Sequence, residues 1–96
     1  MQTIQCFGKT YTVDHRVLTY TDGNLAVQVI GHDGPFGMLS TNIDGVELNE
    51  SEFCVKVWSE NAPWALNYLA QNGDKFEDTG RTFASGFVTG PIYRLK

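Results

Sequence analysis

The chain is poor in the residues that announce chemistry. Its 96 residues hold two cysteines, two histidines, and seven lysines and arginines against eleven acids. No apolar run approaches the roughly 18 residues that a membrane span needs. Cys6 and Cys54 stand in no CxxC or paired Cys/His spacing, which leaves a metal site unsupported. Both are expected as buried, reduced thiols. A net charge of −4 argues against direct nucleic-acid binding, which needs clustered Lys and Arg to displace counterions. Ser40, Ser51, Ser59 and Ser85 lie in no nucleophile motif of the GxSxG kind. The scattered glycines fit neither a phosphate loop nor a dinucleotide fingerprint. The start, Met-Gln-Thr-Ile-Gln-Cys, lacks the basic and apolar segments of a signal peptide, so the chain reads as cytoplasmic. The expectation is a non-enzyme with no catalytic residue, no cofactor and no metal.

What the sequence does have is a beat. Asp22-Gly23, Asp33-Gly34 and Asp44-Gly45 follow one another at a fixed spacing. Asp-Gly favours the positive φ angles of tight hairpin turns. Turn signals repeated about every 8 to 12 residues mark an antiparallel meander. The length fits one domain, residues 1–96. The expected fold is α+β: a twisted antiparallel sheet of five or six strands with one helix packed on a face.

The strands have expected registers. A turn at Gly8-Lys9 sets Cys6 opposite Tyr11 and Ile4 opposite Val13. Gln5, Phe7, Thr10 and Thr12 fall on the other face. A two-residue turn at Asp22-Gly23, both residues at positive φ, pairs Tyr20 with Leu25, Leu18 with Val27 and Arg16 with Val29. A strand from about Phe36 to Ile43 turns at Asp44-Gly45, pairing Ile43 with Val46 and Thr41 with Leu48. Phe53 to Trp58 alternates as a further strand. A helix over residues 62–72 is predicted, with Asn61 as its cap, Pro63 in its first turn and Gly73 as its stop. Its apolar stripe is Ala62, Ala65, Leu66 and Leu69, with Trp64 and Tyr68 at the edges. Gly86 reads as a bulge, and the last strand as Ile92 to Leu95.

Charge is unevenly spread. Asp44, Glu47, Glu50 and Glu52 fall in a short stretch with no base, while Arg81, Arg94 and Lys96 close the chain without an acid. Like charges held close repel, so a positive partner is one reason to gather them. Trp58, opposite the Phe53/Val55/Val57 face, is the aromatic best suited to anchor an interface. His15 follows Asp14 and His32 precedes Asp33. Neighbours on a strand point to opposite faces, so neither pair is an acid–base pair by adjacency alone. Both histidines read as surface or loop residues.

Several short stretches together resemble a known family. They are Phe7-Gly8-Lys9 with Tyr11, Gly23-Asn24-Leu25-Ala26-Val27, Thr41-Asn42, Thr79-Gly80-Arg81, Ser85-Gly86-Phe87 and Pro91-Ile92-Tyr93. The family consists of small proteins carried on bacterial conjugative elements and prophages and known only as a domain of unknown function. The likeness covers nearly the whole chain and carries no functional residues. What it implies is context: small acidic mobile-element proteins are often inhibitors of host defence, anti-CRISPR proteins among them. The leading expectation is thus a non-enzymatic binding protein, monomer or homodimer. It would block a defence complex by setting Asp44, Glu47, Glu50, Glu52 and Trp58 against a basic surface of a protein partner. The alternatives are a small-ligand binder or minor enzyme with a site near His15 and His32, and a self-assembling module using an exposed sheet edge.

Overall fold

Among the described residues, eight strands divide between two sheets. The computed structural model describes residues 2–96. Strands β1 (Gln2–Cys6), β2 (Lys9–Thr19), β3 (Leu25–Gly31) and β4 (Gly34–Met38) pair antiparallel in chain order. Strands β5 (Ser40–Thr41), β6 (Glu52–Val55), β7 (Phe76–Ser85) and β8 (Val88–Leu95) form the second sheet, in the order β5-β6-β8-β7. A 3-10 turn (Ser59–Asn61) and one helix, α1 (Ala65–Gln71), lie between β6 and β7. The α+β class holds, but the sheets are two, not one.

The first turn is Phe7-Gly8, with φ of 53° and 73°, as a type I′ turn requires. Cys6 therefore pairs with Lys9, and Ile4 with Tyr11. The expected turn was one residue late. Moving a two-residue turn by one changes every pairing by two, and side chains alternate with period two. The faces survive: Ile4, Cys6 and Val13 are buried, and Gln5, Thr10 and Thr12 are exposed.

The second turn breaks its expected register. The Tyr20 N–H donates to Asn24 O at 2.8 Å, and the Gly23 N–H to Tyr20 O at 2.9 Å. The loop is thus Thr21-Asp22-Gly23, and of the Asp-Gly pair only Gly23 has positive φ, 91°. Such three-residue loops place glycine in the left-handed region. The Asp22 Oδ1 accepts the Asn24 N–H at 3.0 Å and holds the longer loop closed. The extra residue slips the register by one, so Val17 faces Val27 and Leu18 faces Ala26. Such a slip exchanges faces: Val17, not Leu18, shares the side of Val27 and Val29.

The chain changes sheets at Leu39-Ser40. The Leu39 N–H donates to Val27 O in the first sheet at 2.9 Å, and its carbonyl accepts the Lys56 N–H at 2.9 Å beside the second. The Ser40 hydroxyl accepts the Val27 N–H at 2.8 Å, closing the ladder that β4 has left. The single strand expected from Phe36 to Ile43 is therefore two strands. Asp44-Gly45 makes no hairpin: Thr41 pairs with Cys54, and residues 42–51 form a loop. The strand expected to run to Trp58 stops at Val55.

The helix is shorter than expected. Asn61 does not cap it. Its side-chain amide instead donates to Met38 O at 2.5 Å and Lys56 O at 3.1 Å, and the residue is buried. The buried stripe is Trp64, Ala65, Tyr68 and Leu69, while Ala62 and Leu66 are exposed. The stripe is rotated because Trp64 packs on β4, where a Cβ on Gly37 would stand 3.0 Å from the indole. Gly86 belongs to the β7–β8 turn, opposite which Ser85 pairs with Val88. The bulge lies earlier in β7, between Asp78 and Thr82, with Gly80 at φ 81°.

Burial joins the parts. Ile4, Val13, Val27 and Val29 of the first sheet meet Phe53, Val55 and Phe76 of the second and Trp64, Tyr68 and Leu69 of the helix in one cluster. A smaller cluster of Cys54, Phe83 and Ile92 lies apart from it. Cys6 and Cys54 are free and buried, and burial pushes both thiols above their ordinary pKa. Among the described residues, no helix is long and apolar enough to cross a membrane.

Candidate functional site

The acidic stretch is a loop with a fixed floor. β5 and β6 bring its ends together by pairing Thr41 with Cys54. Its apolar residues Ile43, Val46 and Leu48 tuck against Cys54, Phe83 and Ile92. A compact loop that packs its own side chains beneath it holds its shape without secondary structure.

Glu52 is the peg of this floor. It is 4% exposed, not a surface acid as its sequence neighbours led one to expect. Its Oε1 accepts the Asn49 N–H at 2.7 Å and the Arg81 guanidinium at 2.6 Å. The Asn49 N–H, then burial acting the other way, then Arg81 set its acidity; the net result holds its carboxyl below the usual range. Arg81 also donates to the Glu47 carbonyl at 2.5 Å. The stretch that lacks a base in sequence thus has one in space, brought from β7. The Gly80 bulge lies next to Arg81 and re-aims that edge, as bulges do.

A second bracket holds the loop's start. Asn42 donates to Asp22 Oδ2 at 2.7 Å and accepts from Asn24 at 3.0 Å. These side chains tie the loop to the β2–β3 turn. The Asn42 amide, then the Asn24 N–H, lower the Asp22 pKa.

With Glu52 and the backbone engaged, Asp44, Glu47 and Glu50 are the carboxylates that remain exposed. Trp58 is half-buried and packs edge-on against Phe83, centroids 6.1 Å apart. It belongs to the margin of the smaller cluster and not to a free surface. The structure therefore leaves Asp44, Glu47 and Glu50 exposed on one loop, buries Glu52, and packs Trp58 against the smaller cluster. Sequence reading placed Arg81 among the bases that close the chain and missed its contact with the acidic loop. Its only signal was an unpaired base beside Gly80, far along the chain.

The two histidines do not share a site. His15 is half-buried, its side chain 13% exposed, and lies against Tyr68 and Phe76. Its Nδ1 lies 2.9 Å from the Tyr68 hydroxyl, and its ring centroid 4.9 Å from that of Phe76. Burial lowers its pKa; Asp14 opposes the shift and Lys75 adds to it. The Asp14 carboxylate curls back to accept the His15 backbone N–H at 2.8 Å, which brings it 3.8 Å from Nδ1. Adjacent strand residues met here because the aspartate is short enough to fold onto the backbone. Tyr68 is fully buried, and burial raises its pKa beyond the ordinary tyrosine range. His32 is exposed at the β3–β4 turn. It borders a cavity of about 500 Å³ shared with Tyr11, Asp33 and Phe36, which His15 does not reach. Among the described residues, no three His, Cys, Asp or Glu side chains converge in a way that could hold a metal ion.

Comparison with family models, with curated proteins and with solved structures gave no match.

Proposed function

We infer that this chain is a non-enzymatic binding protein, and that Asp44, Glu47 and Glu50 are the face it offers to a basic surface of another protein. One observation supports this reading. The loop backbone is pinned by Glu52, Arg81 and Asn42, while its remaining carboxylates point to solvent. A pinned loop loses little conformational freedom on docking, so preorganisation favours affinity. Charges on such a face steer encounter. The family resemblance supplies the setting: a mobile-element inhibitor of a bacterial defence complex, a CRISPR effector being one example. A nucleic-acid channel on such a complex has the right charge.

The test uses the D44N/E47Q/E50Q variant, which spares Glu52. Wild-type and variant chains are immobilised, host proteins retained by the wild type are identified, and association with the purified partner is measured against salt. The wild type should associate faster, with a rate that falls as salt rises. The variant should melt at the same temperature, associate more slowly and show a flatter salt dependence. Equal association rates at low salt would refute the role of the loop.

A further inference from the structure

We propose that the outer edge of β2, from Asp14 to Thr19, pairs with the same segment of a second copy to make a twofold dimer. The observation is a mismatch of lengths. β2 runs from Lys9 to Thr19, but β1 covers it only as far as Val13, opposite Gln2. On the other side β3 pairs with β2 all the way from Val13 to Thr19. Among the described residues, nothing pairs the outer side beyond Val13.

The direction of the free groups follows from the ladder. In an antiparallel pair, alternate residues turn their N–H and C=O toward the partner strand. Tyr20 bonds toward Asn24, so Leu18, Arg16 and Asp14 also bond toward β3. His15, Val17 and Thr19 then face outward. His15 confirms the phase, because its N–H is taken by the Asp14 side chain. That contact marks one end of the open stretch. The N–H and C=O of Val17 and Thr19 remain as a template.

Protection here is confined to one end: Asp14 and Arg16 carry charge, while Val17 to Thr19 carry no charge, no proline and no bulge. Exposed edges are usually blunted by shortness, proline, charge or a bulge. β5 has two residues, β4 carries Pro35, and β7 carries Glu77, Asp78 and the Gly80 bulge. The open part of β2 instead shows Val17 at 44% and Leu18 at 43% exposure, one on each face.

A second copy fits this edge by its own geometry. An antiparallel pairing of identical segments is isologous, so both halves are satisfied at once. Centred on Val17, it sets Val17 against its twin and Thr19 opposite His15, where the Thr19 N–H meets the His15 carbonyl while the His15 N–H stays with Asp14. Arg16 then faces Leu18 of the other copy, and its aliphatic stem can cover the leucine. A centre at Arg16 would oppose two guanidinium groups, which is disfavoured. In the Val17 register the partner's Thr19 lies opposite His15, clear of the Gln2–Val13 pair. The pairing does not depend on the function of the acidic loop.

Sedimentation equilibrium of the wild-type chain over a concentration series tests it. The expected mass at high concentration is twice the 10.7 kDa of one chain. Two variants probe the edge. Val17→Lys sets like charges at the twofold, and Thr19→Pro removes an outward N–H that β3 does not use. Each should weaken the dimer by at least about tenfold, with the monomer's circular dichroism spectrum unchanged. If Val17→Lys disturbs the fold, Thr19→Pro alone decides. A wild type that stays monomeric throughout overturns the proposal. So does a dimer that a folded Thr19→Pro variant leaves intact.

Discussion

At the scale of single residues, polar side chains stand where backbone pairing fails. Ser40 is the clearest case. It is 2% exposed, accepts the Val27 N–H, and meets the Tyr20 hydroxyl at 2.9 Å. Removing the hydroxyl leaves a buried donor without a partner, at a cost of about 1–3 kcal/mol. Ser40→Ala should therefore lower the melting temperature by roughly 4–8 °C per kcal/mol lost, measured by calorimetry. An unchanged midpoint would show that Val27 finds another acceptor. Asn61 plays a like part for Met38 and Lys56. Neither role was legible in the sequence. Asn61 stands before a helix, where capping is the common use of asparagine. Its burial, and the two carbonyls that claim it, come from elements distant in the chain.

At the scale of elements, turns decided what could be read. The β1–β2 faces were legible even with the turn misplaced, since a shift of two preserves alternation. The β2–β3 faces were not, because Asp22-Gly23 sits in a loop of odd length. Asp-Gly announces a turn but does not count its residues. Asp44, Glu47 and Glu50 were legible as an acidic group, whereas Glu52 differs from them only by the strand that buries it. This changes what substitution should do. Glu52→Ala removes the charged acceptor of both Asn49 and Arg81 and leaves the loop floor loose. A loss of about 1–3 kcal/mol is expected, together with faster hydrogen exchange at Asn49. Urea unfolding and amide exchange would measure both. Stability equal to wild type would mean that the apolar residues beneath hold the loop alone.

At the scale of the whole molecule, acidity should unbuild the fold in two steps. His15 has a lowered pKa in the folded chain. As pH falls below the ordinary histidine value of about 6.5, the unfolded chain takes up that proton first. Stability present above that pH is then lost until the folded pKa is reached. Glu52, also lowered, contributes above the ordinary carboxylate range, and its share is lost as pH falls through its folded pKa. Unfolding free energies measured by urea from neutral to acid pH should decline first in the histidine range. His15→Gln should flatten that first decline and leave the second. A curve of identical shape in the variant would remove His15 as its cause. The overall class was legible because apolar alternation and turn chemistry are local. The division into two sheets was not, since it depends on one residue between β4 and β5. Leu39 gives its N–H to one sheet and its carbonyl to the neighbour of the other. A peptide shared in this way works as a keystone. Loosening either sheet at that point strains a bond held by the other, so opening at Leu39 should be felt on both sides of the junction.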